Sequence, residues 1–396
     1  MTISPAYVTE IESHYRPTHD ERARQSFVSM VRKHAIIDLR RELQEDWSQR
    51  VAPALAARGA AVRNWQDIQA AMEHEPSYRF YSTTRYNAQE MCYLSVQAPI
   101  ERALPKMIEI ARNANKSGKS SGSLRLNPNL ELPRYLKALD VHLAPGWTHS
   151  EYTMDDVAQG AVVSFGGKVF TGQHPFRKHP GVIAQTIGEF LNRKYPGFKP
   201  RRLPDLGTTS GKNLLPYVEI FPGLEAHGID VGAPVLRYGH AVAEAAGIAA
   251  HYSQQNAEHT DFPDGHFDLI VSSFFFHEVP VKATRQILRE CRRLLKPGGH
   301  MVHMELPNEA AVDSYANFFW NWDRANNNEP FYTSFREQNP IELCVEAGFK
   351  RESCIAQLLP DFASFGEDNF ARFLKGEVAA PQHGSGGWFV FGALDV

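Results

Sequence analysis

The stretch that decides the fold is Leu203-Pro204-Asp205-Leu206-Gly207-Thr208-Thr209-Ser210-Gly211. It is typical of a buried strand that breaks into a glycine-bearing turn, and a helix is predicted to begin near Lys212. Glycine has no Cβ and tolerates positive φ, so a ligand can approach the backbone of such a turn. The free N–H groups of a helix N-terminus add a positive end at the same place. The pattern alone is equally typical of a plain connection between a strand and a helix.

A second short strand, Gly228-Ile229-Asp230-Val231-Gly232, follows and ends in an acid. An acid about 20 residues beyond such a turn, at the tip of the next strand, is placed to accept hydrogen bonds from ribose hydroxyls. The sequence therefore predicts a nucleotide-like ligand between the turn and Asp230.

Three further motifs follow in order: Asn256-Ala257-Glu258, then Asp261-Phe262-Pro263-Asp264-Gly265-His266-Phe267-Asp268-Leu269-Ile270-Val271, and Leu294-Leu295-Lys296-Pro297-Gly298-Gly299-His300-Met301-Val302. Together with the turn and the acidic strand, this ordered set resembles the class I S-adenosylmethionine (SAM)-dependent methyltransferases of the ubiquinone/menaquinone C-methyltransferase-like group. The resemblance covers residues 200–306 well. It implies SAM as cofactor, S-adenosyl-L-homocysteine as its product and a small-molecule methyl acceptor as partner.

The glycine loop departs from the family at one position. The family's loop reads Asp/Glu-x-Gly-x-Gly-x-Gly, and its middle glycine is Thr209 here. A side chain at this point would either crowd the methionine part of SAM or hydrogen-bond to it. Two other classes therefore stay open: a catalytically silent SAM-fold binding or scaffold subunit, and a SAM-using cyclase or isomerase. A dinucleotide dehydrogenase is disfavoured because its Gly-x-Gly-x-x-Gly fingerprint does not match the turn.

The pattern from Leu203 onward alternates strands and helices, which predicts an α/β fold with a doubly wound sheet. The resemblance implies a Rossmann-like, seven-stranded class I methyltransferase sheet whose last strand is antiparallel. The clearest helix is Ala283–Leu295, which the glycines after Pro297 end. The predicted strands are Arg202–Leu206, Ala226–Val231, Ile248–Ser253, Phe267–Phe274, His300–Leu306, Glu352–Leu358 and Trp388–Leu394.

Three regions are predicted: residues 1–123 as a mainly helical cap or dimerisation region, 124–200 as a mixed segment, and 201–396 as the SAM-binding methyltransferase domain. A helical piece over Leu104–Ala111 follows Pro99. Residues 161–170, centred on Gly166-Gly167, predict a two-residue hairpin, and Gly181–Tyr195 predicts an amphipathic helix. The resemblance implies that the middle segment covers the cofactor, with Phe170–Pro180 as a lid.

The composition narrows the class of protein. The chain has 396 residues, 43% of them hydrophobic, and a formal net charge of −3, which gives no electrostatic case for a nucleic-acid partner. The first thirty residues lack the apolar segment of a secretory signal, and no apolar run approaches a membrane span. The 17 histidines show no spacing typical of a metal site. These features predict a cytoplasmic enzyme without a metal.

The motif residues fall at the carboxyl ends of predicted strands, where ligands bind in such sheets. The resemblance implies that Asp230 holds the ribose, Val231 packs on the adenine and Asn256 lies at the adenine edge. The full set of cofactor-binding residues implied is Asp205, Gly207, Thr208, Thr209, Gly211, Asp230, Val231, Asn256, Ala257, Glu258, Ser272 and Ser273.

Methyl transfer from a sulfonium is an in-line displacement with a neutral leaving group, so the enzyme mainly aligns the reactants and excludes water. A base is needed only where the acceptor must lose a proton. The candidates are His277, Glu278 and Glu305, and His277 is preferred because its ordinary pKa is near neutrality. The alternative is that His277-Glu278 only caps the following helix.

A dense set of aromatic residues lies near the expected acceptor site, which favours a small apolar or aromatic acceptor. The same residues are also typical of a hydrophobic core. Nothing in the sequence selects carbon, oxygen, nitrogen or sulfur as the methylated atom. The predicted pocket residues are Phe276, Phe319, Trp320, Trp322 and Tyr332.

Overall fold

The structure is a computed structural model that describes residues 9–117 (Ser117 by its main chain only), 122–172 and 181–395. Its centre is one sheet of eight strands in the order β1-β4-β3-β2-β5-β6-β8-β7. All neighbouring strands run parallel except where β8 pairs antiparallel with β6 and β7. The strands are β1 (Ser123–Arg125), β2 (Arg202–Leu206), β3 (Glu225–Asp230), β4 (Ala250–Gln254), β5 (Phe267–Ser273), β6 (Leu295–Glu305), β7 (Cys354–Pro360) and β8 (Gly387–Ala393).

The predicted α/β class I sheet with an antiparallel last strand is confirmed, and its strands lie close to the predicted ranges except for β6. That strand begins at Leu295 rather than His300, so the prediction that the glycines after Pro297 end the preceding helix is wrong: the helix stops at Leu294, and these glycines lie within the strand. The sheet has eight strands rather than seven because the short strand β1 adds to its edge beside β4. This strand has only three residues, alternately exposed and half-buried, so no hydrophobic pattern marks it. The strand order reverses between β2 and β5, which are neighbours in the sheet. A ligand site is expected at the carboxyl ends of these two strands.

The helices before the sheet form most of the first 117 residues. They are α1 (Glu10–Ser13), α2 (His19–His34), α3 (Arg40–Asp46), α4 (Ala52–Ala57), α5 (Trp65–Met72) and α6 (Pro76–Ser117). Two π-helical turns, 35–39 and 47–51, join α2 to α3 and α3 to α4. The predicted helical character of this region is confirmed.

The predicted helix over Leu104–Ala111 is confirmed, but it is not a separate piece, because α6 runs without interruption through Pro99 and Pro105. A proline in a helix leaves the carbonyl four residues earlier without its N–H partner. For Pro99 that carbonyl belongs to Ser95, and it accepts a hydrogen bond from Gln25 Nε2 at 3.1 Å. The side chain from α2 replaces the missing donor, and the helix continues.

The predicted hairpin over residues 161–170 is also wrong, because these residues lie in helix α8 (Ala158–Thr171). The glycines allow close helix packing instead of a turn. A Cβ at Gly160 would lie 2.2 Å from the Cβ of Tyr238, and one at Gly166 would lie 2.6 Å from Cδ1 of Tyr93. These contacts hold α8 against α11 (Ala233–Ala245) and α6.

The remaining helices cover the two faces of the sheet. Leu203 of β2 packs in one apolar cluster with α9 and α11, and Leu206 packs on the opposite face with α12. Within the described ranges, no helix has the length and apolar character needed to cross a membrane. These helices are α7 (Arg134–Lys137), α9 (Val182–Lys194), α10 (Leu215–Ile220), α12 (Val281–Leu294), α13 (Ser314–Trp320), α14 (Trp322–Asn326), α15 (Tyr332–Arg336), α16 (Pro340–Glu346), α17 (Phe362–Phe365) and α18 (Glu367–Leu374).

Candidate active site

A cavity lies at the carboxyl ends of β2, β3 and β5, where the strand order reverses. We call it the cofactor cavity. Its walls come from the glycine turn, the ends of the three strands, and the segment 133–148 that precedes α8. The described residues that line it are Pro133, Tyr135, Leu136, Trp147, Thr148, Gly207, Thr209, Ile229, Asp230, Val231, Gln255, Asn256, Ala257, Ser273, Phe274, Phe275, Glu278 and Val279.

Asp230 ends β3 at the wall of this cavity and is buried. Its Oδ2 accepts a hydrogen bond from the backbone N–H of Thr209 at 3.0 Å, and its Oδ1 accepts one from the N–H of Gly232 at 2.8 Å. Each carboxylate oxygen can accept a second hydrogen bond. Burial raises the pKa of Asp230 to about 6, against the lowering effect of these hydrogen bonds. The side chain is therefore fixed in place with acceptor capacity left for a ligand.

The glycine turn brings its backbone to the cavity through two left-handed residues. Gly207 has a φ of +65°, and a Cβ there would lie 2.5 Å from Cδ2 of Phe275. Thr209 has a φ of 49°, a conformation that costs a non-glycine residue about 1–2 kcal/mol. Thr209 therefore keeps the backbone geometry that the family's glycine adopts freely.

Several predicted cofactor residues support the turn from behind and do not line the cavity. The carboxylate of Asp205 accepts from Thr208 Oγ1 at 2.8 Å, and burial raises the pKa of Asp205 to about 7. A Cβ at Gly211 would lie 2.1 Å from the Tyr252 hydroxyl oxygen. The predicted residues outside the cavity wall are Asp205, Thr208, Gly211, Glu258 and Ser272.

The other two of these residues also have protein partners. Glu258 accepts from the hydroxyl of Tyr135, which does line the cavity, at 3.0 Å. Ser272 is buried and its hydroxyl lies 2.8 Å from Nδ1 of His303. Both residues thus hold the wall in place without forming it.

The segment 133–148 forms the side of the cavity that the sequence did not predict in detail. Trp147 and Thr148 line it, and the backbone of His142, Leu143 and Trp147 has positive φ. A Cβ at Gly232 would lie 2.3 Å from the backbone oxygen of Thr148. Gly232 thereby allows the segment to lie directly against the end of β3. A glycine at position 232 is the one feature of the sequence that could have indicated a close backbone contact here. It does not indicate which segment makes that contact.

A chain of buried acids and histidines runs from β6 to the cofactor cavity. Nδ1 of His277 lies 2.8 Å from Oε2 of Glu305, and its Nε2 lies 3.6 Å from Oε2 of Glu329. Nδ1 of His142 lies 2.9 Å from Oε1 of Glu329, and its Nε2 lies 3.2 Å from Oε1 of Glu278. We call these five residues the Glu–His chain. Only Glu278 among them lines the cofactor cavity.

The two histidines of the chain favour the protonated state. Burial lowers the pKa of His277, but the charges and the hydrogen bond of the neighbouring glutamates outweigh it and raise that pKa to about 9. Glu329 and Glu278 likewise hold the pKa of His142 well above its ordinary value, although burial opposes them. The sequence located His277, Glu278 and Glu305, but it gave no signal for His142 or Glu329.

The aromatic residues predicted to form a substrate pocket are spread over several places, and none lines the cofactor cavity. Phe276 is fully buried, with its ring 4.7 Å from that of His303. The Tyr332 ring lies 5.6 Å from that of His277. The rings of Phe319 and Trp322 lie 5.7 and 6.3 Å from the ring of Tyr81 in α6, and Trp320 lies 5.5 Å from His383. Within the described residues, only Phe319 of this set lines another large cavity.

No metal site is predicted from the sequence, yet the fold brings together Glu225, His227 and His266, whose ligand atoms lie within 4.8 Å of one another. Glu225 begins β3 and His266 precedes β5, so the group lies at the amino ends of the strands, away from the cofactor cavity. Glu225 already bonds His227 at 2.8 Å and Arg202 at 3.0 Å. This group plays no part in the chemistry of the cofactor cavity.

The predicted lid, Phe170–Pro180, is described only in part, because positions 173–180 lie outside the described residues. The ring of Phe170 packs against the guanidinium of Arg32.

Comparison with known proteins identifies the sheet. A family model described as a methyltransferase domain matches residues 204–299. This range begins in the glycine turn's strand and ends at the Lys-Pro-Gly-Gly motif. Residues 204–299 therefore form a methyltransferase domain of class I, and their motifs are similar to those of the ubiquinone/menaquinone C-methyltransferase-like group.

Two curated relatives of known name are similar to less than a third of the chain. It is 35% identical over 108 residues to the demethylmenaquinone methyltransferase of Thermus thermophilus, covering 27% of this chain and 48% of that protein. It is 36% identical over 131 residues to the ubiquinone/menaquinone biosynthesis C-methyltransferase of Vibrio vulnificus, covering 30% and 49%. The chain thus spans about half the length of these curated relatives. A putative O-methyltransferase structure from Nostoc punctiforme covers 77% of this chain and 72% of its own at 14% identity, with a TM-score of 0.42.

SAM is the cofactor of this family, and the residues of the methyltransferase domain's cavity fit it. The cavity offers the backbone of the glycine turn at Gly207, a carboxylate with free acceptor capacity at Asp230, and apolar walls at Val231 and Ala257. These are the three features that a sulfonium chain, a ribose and an adenine ring require.

Proposed function

We propose that the protein transfers a methyl group from SAM to a small apolar or aromatic acceptor. The observation that carries this proposal is the position of Asp230, fixed by two backbone N–H groups at the wall of a cavity that the glycine turn opens. In this proposal the Asp230 carboxylate accepts hydrogen bonds from the ribose hydroxyls. Val231 and Ala257 pack on the adenine, and Asn256 lies at the adenine edge.

SAM supplies an electrophilic methyl group on a sulfonium whose departure leaves a neutral thioether. The protein's part is to hold the acceptor in line with that methyl group and to keep water out. Ser273, Phe274 and Phe275 follow directly on the end of β5 and line the cavity. They are the residues that we place nearest to the reacting atoms.

Where the acceptor must lose a proton, Glu278 has the most direct access because it lines the cavity. His277 was preferred from the sequence, and its role as general base stays a prediction. Its raised pKa of about 9 means that it carries a proton at neutral pH and cannot accept another. Within the Glu–His chain, a protonated His277 is better suited to neutralise and position the carboxylates of Glu305 and Glu329 than to act as a base.

The competing function is a binding or scaffold subunit that retains the fold without catalysis. It is favoured by Thr209, whose side chain lies at the cavity where the family has glycine. A SAM-using cyclase or isomerase would differ from both by retaining the methyl group. We also propose that the protein is located in the cytoplasm and that it forms a homodimer through helices α1–α6.

Calorimetric titration with SAM and S-adenosyl-L-homocysteine, with NAD as control ligand, tests the proposal on the wild type and on Asp230→Asn. We expect binding of both SAM compounds and none of NAD. The substitution should weaken binding about tenfold to a hundredfold, because a hydrogen bond to a charged group contributes about 1.5–3 kcal/mol. Asp264→Asn is the matched control, since Asp264 is exposed and pairs only with Arg293. Absence of SAM binding in the wild type would overturn the proposal, and a product lacking the added CH₂ group would favour the cyclase or isomerase.

A further inference from the structure

A second cavity, of about 880 Å³, lies between helix α2, the end of α8 and the chain that leads into β8. We call it the basic cavity. Aromatic rings form much of its wall: Phe170, Phe319, Phe365 and Trp388 line it. Such a cavity is large enough and apolar enough to hold a small aromatic molecule.

Two arginines in this cavity have no acidic partner. Arg32 is half-buried, its Cζ lies 3.4 Å over the Phe170 ring, and its Nη1 donates to the Phe170 carbonyl at 2.9 Å. Cζ of Arg40 lies 4.1 Å over the Phe319 ring. In the part of the chain that the structure describes, no carboxylate lies within 4 Å of either guanidinium. Burial lowers the pKa of Arg32 to about 10 and also lowers that of Arg40. A guanidinium nevertheless keeps its proton at neutral pH, so both side chains are charged.

The other charged groups of the cavity do not neutralise these two. Arg85 is held by Asp323, with both carboxylate oxygens 2.8 Å from Nη2. Asp361 lines the cavity, but its carboxylate accepts from Trp388 Nε1 at 2.9 Å and from the Ser364 N–H at 2.9 Å. Lys33 adds a further exposed positive charge. Among the described residues that line it, the cavity therefore has an excess of positive charge, and the single acid, Asp361, is already occupied.

The basic cavity adjoins the cofactor cavity through a pair of aromatic rings. Phe274 lines the cofactor cavity and has a φ of 54°, in the left-handed region. Its ring lies 6.4 Å from that of Trp388, which lines the basic cavity. One aromatic contact therefore separates a molecule in the basic cavity from the residues at the end of β5.

We propose that the basic cavity is the acceptor site and that the acceptor is an aromatic acid, whose anionic group binds Arg32 and Arg40. A guanidinium is suited to this because it stays charged and binds a carboxylate or phosphate through parallel hydrogen bonds. Both arginines already lie over aromatic rings, which orients them without neutralising them. This inference rests on the proposed methyl transfer and adds the charge of the acceptor to it.

The test uses two probes of nearly the same shape, 2-naphthoate and its neutral amide, 2-naphthamide. Each is titrated calorimetrically into the wild type, Arg40→Gln, Arg32→Gln and Arg41→Gln, with S-adenosyl-L-homocysteine present. Arg41 is the matched control because it is exposed and lies 3.5 Å from its own partner Asp38. Binding of S-adenosyl-L-homocysteine is measured in every variant to show that the fold and the cofactor cavity are intact.

We expect the wild type to bind the acid at least about tenfold more tightly than the amide, a difference of about 1.4 kcal/mol. Arg40→Gln and Arg32→Gln should remove most of this preference, and Arg41→Gln should keep it. Equal affinities in the wild type, no binding of either probe, or a preference that survives both arginine substitutions would overturn the proposal. A preference for the acid in a protein that does not bind SAM would instead refute the methyltransferase function and leave the anion site standing.

Discussion

Nε2 of His142 lies 3.2 Å from Oε1 of Glu278, although the two residues are far apart in the sequence. Glu278 follows β5 and lines the cofactor cavity, whereas His142 belongs to the segment before α8. Through Glu329, the same histidine is linked to His277 and Glu305. The contact therefore attaches the covering segment to the central sheet at the wall of the cofactor cavity.

Removing the His142 imidazole should destabilise the fold. In His142→Asn the carboxylates of Glu278 and Glu329 lose the positive charge between them, and breaking a buried pair in this way costs about 3–5 kcal/mol. Chemical denaturation measures the loss. His74→Asn is the control, because His74 pairs with Glu73 on the exposed surface and should change stability by less than about 1 kcal/mol.

The same substitution carries a pH signature. The pKa of His142 is raised on folding, so its stabilising contribution is complete below its ordinary pKa of about 6.5. It is lost as the pH rises through the raised value. The difference in unfolding free energy between wild type and His142→Asn should therefore be largest at mildly acidic pH and shrink at alkaline pH. A difference independent of pH would contradict the charged pairing.

Gly207→Ala should weaken SAM binding as well as stability. The new Cβ would lie 2.5 Å from the Phe275 ring at a φ of +65°, which combines a strained backbone with overpacking of about 1–3 kcal/mol. Gly247→Ala is a matched control with a φ of +69° and nothing within 4 Å of the new Cβ. Calorimetry and thermal unfolding on both variants separate the two costs. Equal SAM affinity in the two variants would show that the glycine turn does not contact the cofactor.

SAM affinity should rise as the pH rises through about 6. Burial raises the pKa of Asp230 to about 6, and the ionised carboxylate is the stronger acceptor for ribose hydroxyls. Titrations on either side of this pH measure the step, which Asp230→Asn should abolish. Stability changes in the opposite direction: a carboxyl whose pKa rises on folding favours the folded state at low pH, and that contribution falls as the pH rises from about 4 to about 6. A step of equal size in the variant would assign the titration to another group.

Asp323→Asn should show how firmly the helical region is held to the rest of the protein. Arg85 of α6 binds both oxygens of Asp323 in α14, and both side chains are 13% exposed. Loss of the carboxylate leaves a mostly buried guanidinium unpaired, so we expect a loss of about 3 kcal/mol in unfolding free energy. Glu342→Gln removes one partner of the exposed pair with Arg351 and should change the unfolding free energy far less, because solvent screens this pair. A loss in Asp323→Asn no larger than in this control would contradict a firm attachment.

The errors in the sequence analysis have a common physical origin. Gly166-Gly167 looked like a turn because glycine is typical of turns, but Gly166 serves the contact of α8 with Tyr93. Pro99 looked like a helix end because proline removes a backbone donor, but Gln25 supplies another. In both cases a contact with a residue distant in sequence decided the local structure, against the preference of the glycine or proline itself.

The sequence by itself determined the sheet and the position of the nucleotide-binding turn. Asp205, Gly207, Asp230 and the Lys-Pro-Gly-Gly motif each lie in a strand or directly after one, so short-range patterns are enough to locate them. Only the tertiary structure decided which of them form the cavity wall and which support it from behind.

Tertiary structure alone also placed Trp147 over the cofactor cavity, joined His142 to Glu278, and set Arg32 and Arg40 beside Trp388. These residues lie in separate elements with no shared motif. Their proximity follows from how the helices pack on the sheet, which depends on the volumes and charges of many side chains at once. A linear pattern cannot carry that information, because burial and pairing are properties of the folded chain.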